Sequence, residues 1–369
     1  MTSDHRDVMG TRPEPLRAAP GEADAFLVGS AVELPPAVES AADAVRRGRI
    51  SQEEADRLDV ASVHVGTESA PVLAAAAARR AAAEASIEPD RVGHLMHGHI
   101  YYQGHDFWSP AHFIAHEAGF ERCVPMAIGQ MCNGGAAALD IAVQRIRSAR
   151  PGDSTLSVAT TADTFGGPGF DRWGSDYDTV YGDGGTCAIL APRPGPHTSA
   201  LRIRALGSRA QSRFEAMYRE GDAFGDTPHR LRSAVDAKAT KRAFFERSGG
   251  TEEFRDTAVK AIGELVADVI ATAGVRVGDV RAAMLPRLSP KVLDLMYSGA
   301  IDSRLRPTLH CERRTTGHLG AGDFLANLDH LRRTELIDEG QHALVIGGGG
   351  GFTWSAALVQ KVGPVPPRG

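Results

Sequence analysis

The feature of this 369-residue chain that most restricts its fold is a pattern that occurs twice. In each half, strand-like segments alternate with helical ones, and each half closes on a glycine-rich pair of strand signals. These are DTVYGDGGTCAILAP in the first half and GGGGGFTWSAALVQ in the second. The first half runs AFLVGSAVEL, an alanine-rich helix over about 70–87, HLMHGHIYY, VPMAIGQM and STLSVATTA; SQEEADRLDVASV offers Ser51 as a helix cap with Glu54 three residues on. The second runs ALRIRALGSRA, the long amphipathic TEEFRDTAVKAIGELVADVIATAG, VRAAMLPRL, RPTLHCERR and HALVIGGGGG. Such alternation predicts a layered α/β fold rather than an all-β barrel, and the weak repeat predicts a duplicated unit. The expected division is a flexible tail at 1–23, a first half at 24–195 and a second half at 196–369. A charged stretch at about 211–250, with MYREGDAF and KATKRAFFERSGG, is expected as a helical cap over a substrate tunnel; its plainer reading is a solvated face.

Composition narrows the function class. A formal net charge of -5 with 24% charged residues leaves no basic excess for nucleic acid or an anionic membrane. The amino-terminal stretch has prolines and charges but no apolar signal core, and no run is long and apolar enough to span a bilayer. Cys123, Cys132, Cys187 and Cys311 form no CxxC pair, so neither a disulfide framework nor a zinc-finger spacing is visible, and a reducing, cytoplasmic compartment is expected.

Cys132 stands apart from the other three. After it, Leu139, Ala142, Val143 and Ile146 recur at helical spacing, and Gly134 with Gly135 lets the chain turn tightly into that helix. A cysteine at a helix N-terminus meets unsatisfied N–H groups and the positive end of the dipole, which favour a thiolate and hence a nucleophile. The ordinary alternative is an inert core cysteine. A metal is not expected: His112 and His116 have i, i+4 spacing in a histidine-rich run, yet there is no HExxH and no acidic ligand cluster. The GGGGG run lacks a following Lys-Ser/Thr and precedes a strand, so it is not a phosphate loop.

GGGGGFTWSAALVQ, with GHLGAGDFLANLDHL before it and YGDGGTCAIL in the first half, resembles the β-ketoacyl-ACP synthase III branch of the thiolase superfamily over about residues 24 to 362. The resemblance implies a thiolase-like, five-layered α-β-α-β-α duplicated fold, usually a homodimer, with a pantetheine tunnel ending at Cys132. It implies no resident cofactor, since 4'-phosphopantetheine arrives as part of an acyl-ACP or acyl-CoA substrate. Chain-extending members use a histidine in a Pro-His-Gln-Ala-Asn segment and an asparagine in a Gly-Asn-Thr segment to stabilise an enolate. Here LPRLSP places Arg287 where that histidine is expected, and TGHLGAGD places His318 where the asparagine is expected.

Cys132, His318 and Asp323 then suggest a nucleophile, a base and an orienting carboxylate, similar to a subgroup of synthase III-like proteins in antibiotic pathways. The backbone N–H groups of Cys132 and Gly350 are expected to form the oxyanion hole. Arg287 cannot accept a proton but can hold a carboxylate or the charge of an acceptor. Trp108, with Tyr101, Tyr102 and Phe107, is expected to line an acyl or dimer surface. The expected activity is transfer of an acyl group from a carrier-protein or CoA thioester, through acyl-Cys132, to a hydroxyl, an amine or another carrier. One alternative is decarboxylative condensation that primes a polyketide; the other is a non-catalytic partner subunit, against which the intact cysteine argues.

Overall fold

The computed structural model describes residues 24–149, 156–225 and 233–365, so the expected tail at 1–23 lies outside the described residues. The first half contains β1 (Phe26–Glu33), β2 (Ala37–Ser40), α1 (Ala41–Arg46), α2 (Gln52–Leu58), β3 (Ser62–Val65) and α3 (Ala70–Glu84). It continues with β4 (Val92–Gly98), α4 (Pro110–Glu117), β5 (Val124–Ile128), α5 (Gly134–Arg147), β6 (Leu156–Asp163) and β7 (Gly184–Ala191). The second half contains β8 (Ala200–Ala210), α6 (Ala237–Ser248), α7 (Glu252–Ala273), β9 (Val280–Met284), α8 (Pro290–Val292), β10 (Leu309–His310), α9 (Asp323–Arg333), β11 (His342–Gly349) and β12 (Thr353–Val362).

Ten strands form one sheet in the order β10-β9-β11-β12-β8-β1-β7-β6-β4-β5. The duplication is explicit in the strand directions. β1 is antiparallel to β7 and β7 to β6, while β6 is parallel to β4 and β4 to β5. β8, β12, β11, β9 and β10 repeat that arrangement. The copies meet where Phe26 and Leu27 of β1 pair with Arg202 and Leu201 of β8.

Three apolar cores separate five layers. On one outer face, α3 buries Leu73, Ala77, Ala78 and Ala81 with Leu95 and Ile189; its small side chains let the helix lie close to the strands. On the opposite outer face, α7 buries Ile262, Leu265 and Val269 with Leu344, Ile346 and Leu358. Between the two half-sheets, Leu139, Val143 and Ile146 of α5 share a core with Leu325, Leu328 and Leu331 of α9. The helical spacing after Cys132 therefore marks the face of α5 that is buried in this central layer. A Cβ on Gly135 would stand 2.5 Å from the Ala321 carbonyl oxygen, so glycine is required for α5 to begin against the turn ahead of α9.

Local rules account for several ends. Ser51 and Glu54 make the expected reciprocal capping box on α2. HLMHGHIYY stays extended only to Gly98, where β4 ends, and RPTLHCERR contributes only the two residues of β10 to the sheet. β2 and β3, joined through α1 and α2, form a separate antiparallel two-stranded sheet over a small cluster that includes Leu58, Val63 and Trp173. We expect Leu139→Ala to lower the unfolding free energy by about 2–5 kcal/mol in urea titrations, because it empties a buried site shared by both halves.

Candidate active site

The chain leaves β5 and passes through Met131, whose φ of 49° is in the left-handed region, into a short turn over Met131–Asn133 that runs directly into α5. A non-glycine residue held there is a strained elbow, and it aims the next side chain, that of Cys132, away from the strand direction. The Asn133 amide secures the turn by donating to Gln130 Oε1 at 2.6 Å and to Ser355 Oγ of β12 at 2.9 Å. The second half approaches from below: a Cβ on Gly349 would stand 2.5 Å from the Asn133 nitrogen and 2.9 Å from that of Cys132.

His318 lies in the turn that precedes α9, and Asp323 is the first residue of that helix. Both are buried. His318 Nδ1 is 2.6 Å from Asp323 Oδ2, which leaves Nε2 for Cys132. Asp323 also accepts the backbone N–H of Leu319 at 2.9 Å and that of Arg287 at 2.8 Å. The turn is tied to the first half as well, since the His318 N–H donates to Val180 O and the Gly182 N–H to His318 O. Asp163, at the end of β6, accepts Ala321 N–H on one oxygen and the N–H groups of Ile100 and Tyr101 on the other, each at 2.9 Å.

The electrostatics follow from burial and partners. Burial pushes the Asp323 carboxyl up, but His318, Arg287 and the Leu319 N–H outweigh it and hold the group down at about 2. Burial alone would lower His318; the Asp323 carboxylate and then the Cys132 sulfur reverse this and hold it well above its ordinary value. Asp163 has three N–H donors and no cation in hydrogen-bond contact, and burial lifts it to about 7. All four cysteines are free, and burial pushes Cys123 up to about 11 and Cys187 further, as expected for inert core thiols.

Two chambers meet at Cys132. One, of about 340 Å³, is walled by Tyr101, Phe165, Phe170, Tyr181 and Tyr218. The other, of about 430 Å³, holds His318 and Gly348 to Gly350, with Tyr297, Phe352 and Trp354 at its base and Lys241, Arg242, Arg255 and Lys291 along its walls. From the stretch expected as a cap, Tyr218 lines each chamber, and α6 contributes Thr240 to one and Lys241 to the other.

Cys132, His318 and Asp323 thus come together from both halves. Gly350 lines the second chamber over the Tyr218 ring, while Gly349 makes the nearest approach to the Cys132 backbone. Two expected substrate contacts are placed elsewhere. Arg287 is buried outside both chambers: Nη1 donates to Asp323 O at 3.1 Å, and Nε donates to Thr316 Oγ1 at 3.1 Å and Glu312 O at 3.3 Å. It braces the carboxylate rather than meeting a ligand. Trp108 packs at a tilt against Phe113 at the surface, with Phe107 exposed beside it; of that aromatic group, only Tyr101 reaches a chamber. His112 pairs with Ser109 and His116 with Glu121, and no metal-binding cluster exists among the described residues. Sequence reasoning did not single out Asp163, Tyr181, Tyr218 or Lys241; the only signal was the aromatic and basic content of the cap.

The chain's similarities to known proteins agree with this geometry. Residues 270–361 match the C-terminal domain model of 3-oxoacyl-[acyl-carrier-protein (ACP)] synthase III, and residues 55–160 match the N-terminal domain model of thiolase. A β-ketoacyl-[acyl-carrier-protein] synthase III of Rhizorhabdus wittichii is 25% identical over 343 residues, covering 91% of this chain and 99% of that protein. The corresponding Escherichia coli protein is 24% identical over 340 residues, covering 90% and 98%. Among solved structures, the acyltransferase ChlB3 matches with a TM-score of 0.82 at 28% identity, covering 93% of this chain and 99% of ChlB3. The priming β-ketosynthase of the R1128 polyketide pathway shares the fold, with a TM-score of 0.72 at 18% identity over 95% of this chain and 99% of its own.

The shifts of the buried pair give a pH prediction. The depressed Asp323 contributes stability that is present above its ordinary 3.8 and is lost as pH falls towards about 2. The raised His318 contributes stability that is complete below its ordinary 6.5 and is lost as pH rises through its folded value. The stability gap between wild type and Asp323→Asn in urea titrations is therefore expected to be widest at about pH 4 to 6.5 and to narrow on either side. A gap independent of pH would mean that the pair carries no differential charge.

Proposed function

We propose that this β-ketoacyl-ACP synthase III-like member of the thiolase superfamily is an acyltransferase, moving an acyl group from an acyl-carrier-protein or CoA thioester through acyl-Cys132 to a hydroxyl or amine acceptor, or to another carrier. Cys132 Sγ attacks the thioester carbonyl carbon as His318 takes its proton. The carbon–sulfur bond to the donor breaks, and the departing thiolate takes the proton from His318. With the cysteine charge consumed, the now neutral imidazole accepts a proton from the acceptor as its oxygen or nitrogen attacks the acyl carbon, and Cys132 leaves as thiolate. Asp323 keeps Nδ1 occupied so that Nε2 does the transfer. In both steps the tetrahedral oxyanion faces the Cys132 N–H and the glycine run at Gly349 and Gly350. The arginine at the histidine position and the histidine at the asparagine position support transfer without decarboxylation, and the observation that carries this reading is the His318–Asp323 contact beside Cys132.

Intact-protein mass spectrometry with a panel of acyl thioesters is expected to show one acyl adduct on the wild type and none on Cys132→Ala. His318→Ala is expected to slow discharge of the acyl-enzyme to an acceptor by about 10²- to 10⁴-fold, the usual scale of general-base help. Offered malonyl thioester, the acylated wild type should release no more carbon dioxide than a Cys132→Ala control. Acyl-dependent decarboxylation with a β-keto product would instead establish a priming synthase.

We also propose a homodimer. Among the described residues β5 closes one end of the sheet with β4 as its only strand neighbour, and Val124 on it is exposed, with Phe107 and Trp108 in the loop ahead of α4, which packs on it. An uncovered apolar edge strand favours pairing with a second copy. Light scattering should give twice the chain mass for wild type and a smaller particle for Val124→Lys; a wild-type monomer overturns the assignment.

A further inference from the structure

One polar cluster beside Cys132 comes from segments outside both stretches that match known families. On α6, Lys241 places Nζ 2.6 Å from Asp176 Oδ1 and 4.9 Å from the centre of the Tyr218 ring. Tyr181 donates its hydroxyl to the other Asp176 oxygen at 3.2 Å, and the Tyr177 N–H adds a bond of 2.6 Å to Asp176 Oδ1. The Tyr181 ring in turn stands edge-on to His318, with centroids 5.4 Å apart. Asp176 and Tyr181 are buried, and both tyrosines line both chambers at Cys132. The cluster therefore flanks whatever is attached to that sulfur.

We infer that Lys241 and Tyr218 select acyl groups that carry a neutral oxygen, a hydroxyl or a keto group, a few atoms from the thioester carbonyl. The inference rests on the acyl-cysteine reading above. An ammonium has three N–H donors; the hydrogen bond to Asp176 takes one, and Nζ stands over the Tyr218 ring with the others available to that ring and to the cavity that Lys241 lines. Charge decides the class of partner. Asp176 already balances Lys241, and the other cations of that chamber, Arg242, Arg255 and Lys291, are exposed, so a carboxylate held at Lys241 itself would add an uncompensated charge, whereas a neutral oxygen accepts the hydrogen bond without one. Burial pushes Tyr218 up to about 12, which keeps it a phenol. Apart from the triad and those exposed cations, the chamber walls are mainly apolar or aromatic, so a plain hydrocarbon chain would cover a Lys241 N–H without pairing it. A site built around a polar partner rejects an analogue lacking that partner more strongly than an apolar pocket rejects an added hydroxyl.

The test follows Cys132 loading by mass spectrometry with three N-acetylcysteamine thioesters: hexanoyl, 3-hydroxyhexanoyl and succinyl. Wild type is expected to load 3-hydroxyhexanoyl about 10- to 100-fold more efficiently than hexanoyl, the scale of one hydrogen bond to a charged group, and to gain nothing from succinyl. In Lys241→Met the ratio of hydroxylated to plain acyl group should collapse towards one. Because that change leaves Asp176 without its cation, Tyr218→Phe is the second variant; it keeps the ring and its stack on Phe352, and it should shrink the same ratio. Equal loading of the two hexanoyl donors by wild type, or a preference that survives both substitutions, overturns the inference while leaving acyl transfer intact. Fastest loading of succinyl replaces it with an anion site. Absence of any adduct, or an adduct that persists in Cys132→Ala, removes the acyl-cysteine reading and this inference with it.

Discussion

The contact between the start of α5 and the turn ahead of α9 is the constraint on which the site depends. It exists because Gly135 has no side chain to hold Ala321 away. The two helices are equivalent members of the duplicated halves, so their N-termini converge where the copies face each other. Cys132 is delivered by one copy and His318 with Asp323 by the other. The supports are exchanged too. Asp163 ends β6 of the first half and holds the Ala321 N–H of the second, whereas Gly349 ends β11, the equivalent strand of the second half, and lies under the Cys132 nitrogen of the first. Each of these two turns is thus fixed by the opposite copy, so neither half alone contains the candidate site.

Around that contact, charge is distributed by burial. Asp323 collects His318, two backbone N–H groups and the Arg287 guanidinium, whose Nη1 is 3.6 Å from Oδ1. A carboxylate with this many donors stays ionised in a dry interior, and an ionised Asp323 is what sustains a charged imidazole beside sulfur. Arg287 therefore acts on the proposed chemistry from behind, through the carboxylate, at the position where chain-extending relatives are expected to carry a histidine that faces the substrate.

Much of this was legible in the sequence because it is periodic or paired locally. The spacing of Leu139, Val143 and Ile146 marked the buried face of α5, Ser51 with Glu54 marked a helix start, and the two glycine-rich strand pairs marked the duplication. Cys132, His318 and Asp323 stood out because a resemblance in motif supplied their relation across nearly two hundred residues. What stayed hidden depends on contacts without a local pattern. The direction of Arg287 is set by Asp323 and Thr316, and Trp108 follows a loop to the surface. Lys241 meets Asp176 only because the cap folds back over the first half, and no spacing in either segment announces that pair.

The central helical layer also sets the order in which the chain can become stable during synthesis. α5 is complete once residue 147 has been made, yet the residues of α9 that cover its apolar face begin at 323. A chain growing from its amino terminus therefore carries an uncovered α5 face through the translation of most of the second half. Final closure of the central core waits for α9, β11 and β12 to emerge. Apolar surface left uncovered for that long is a liability for aggregation, a cost that accompanies any site built from two copies of one unit read in sequence.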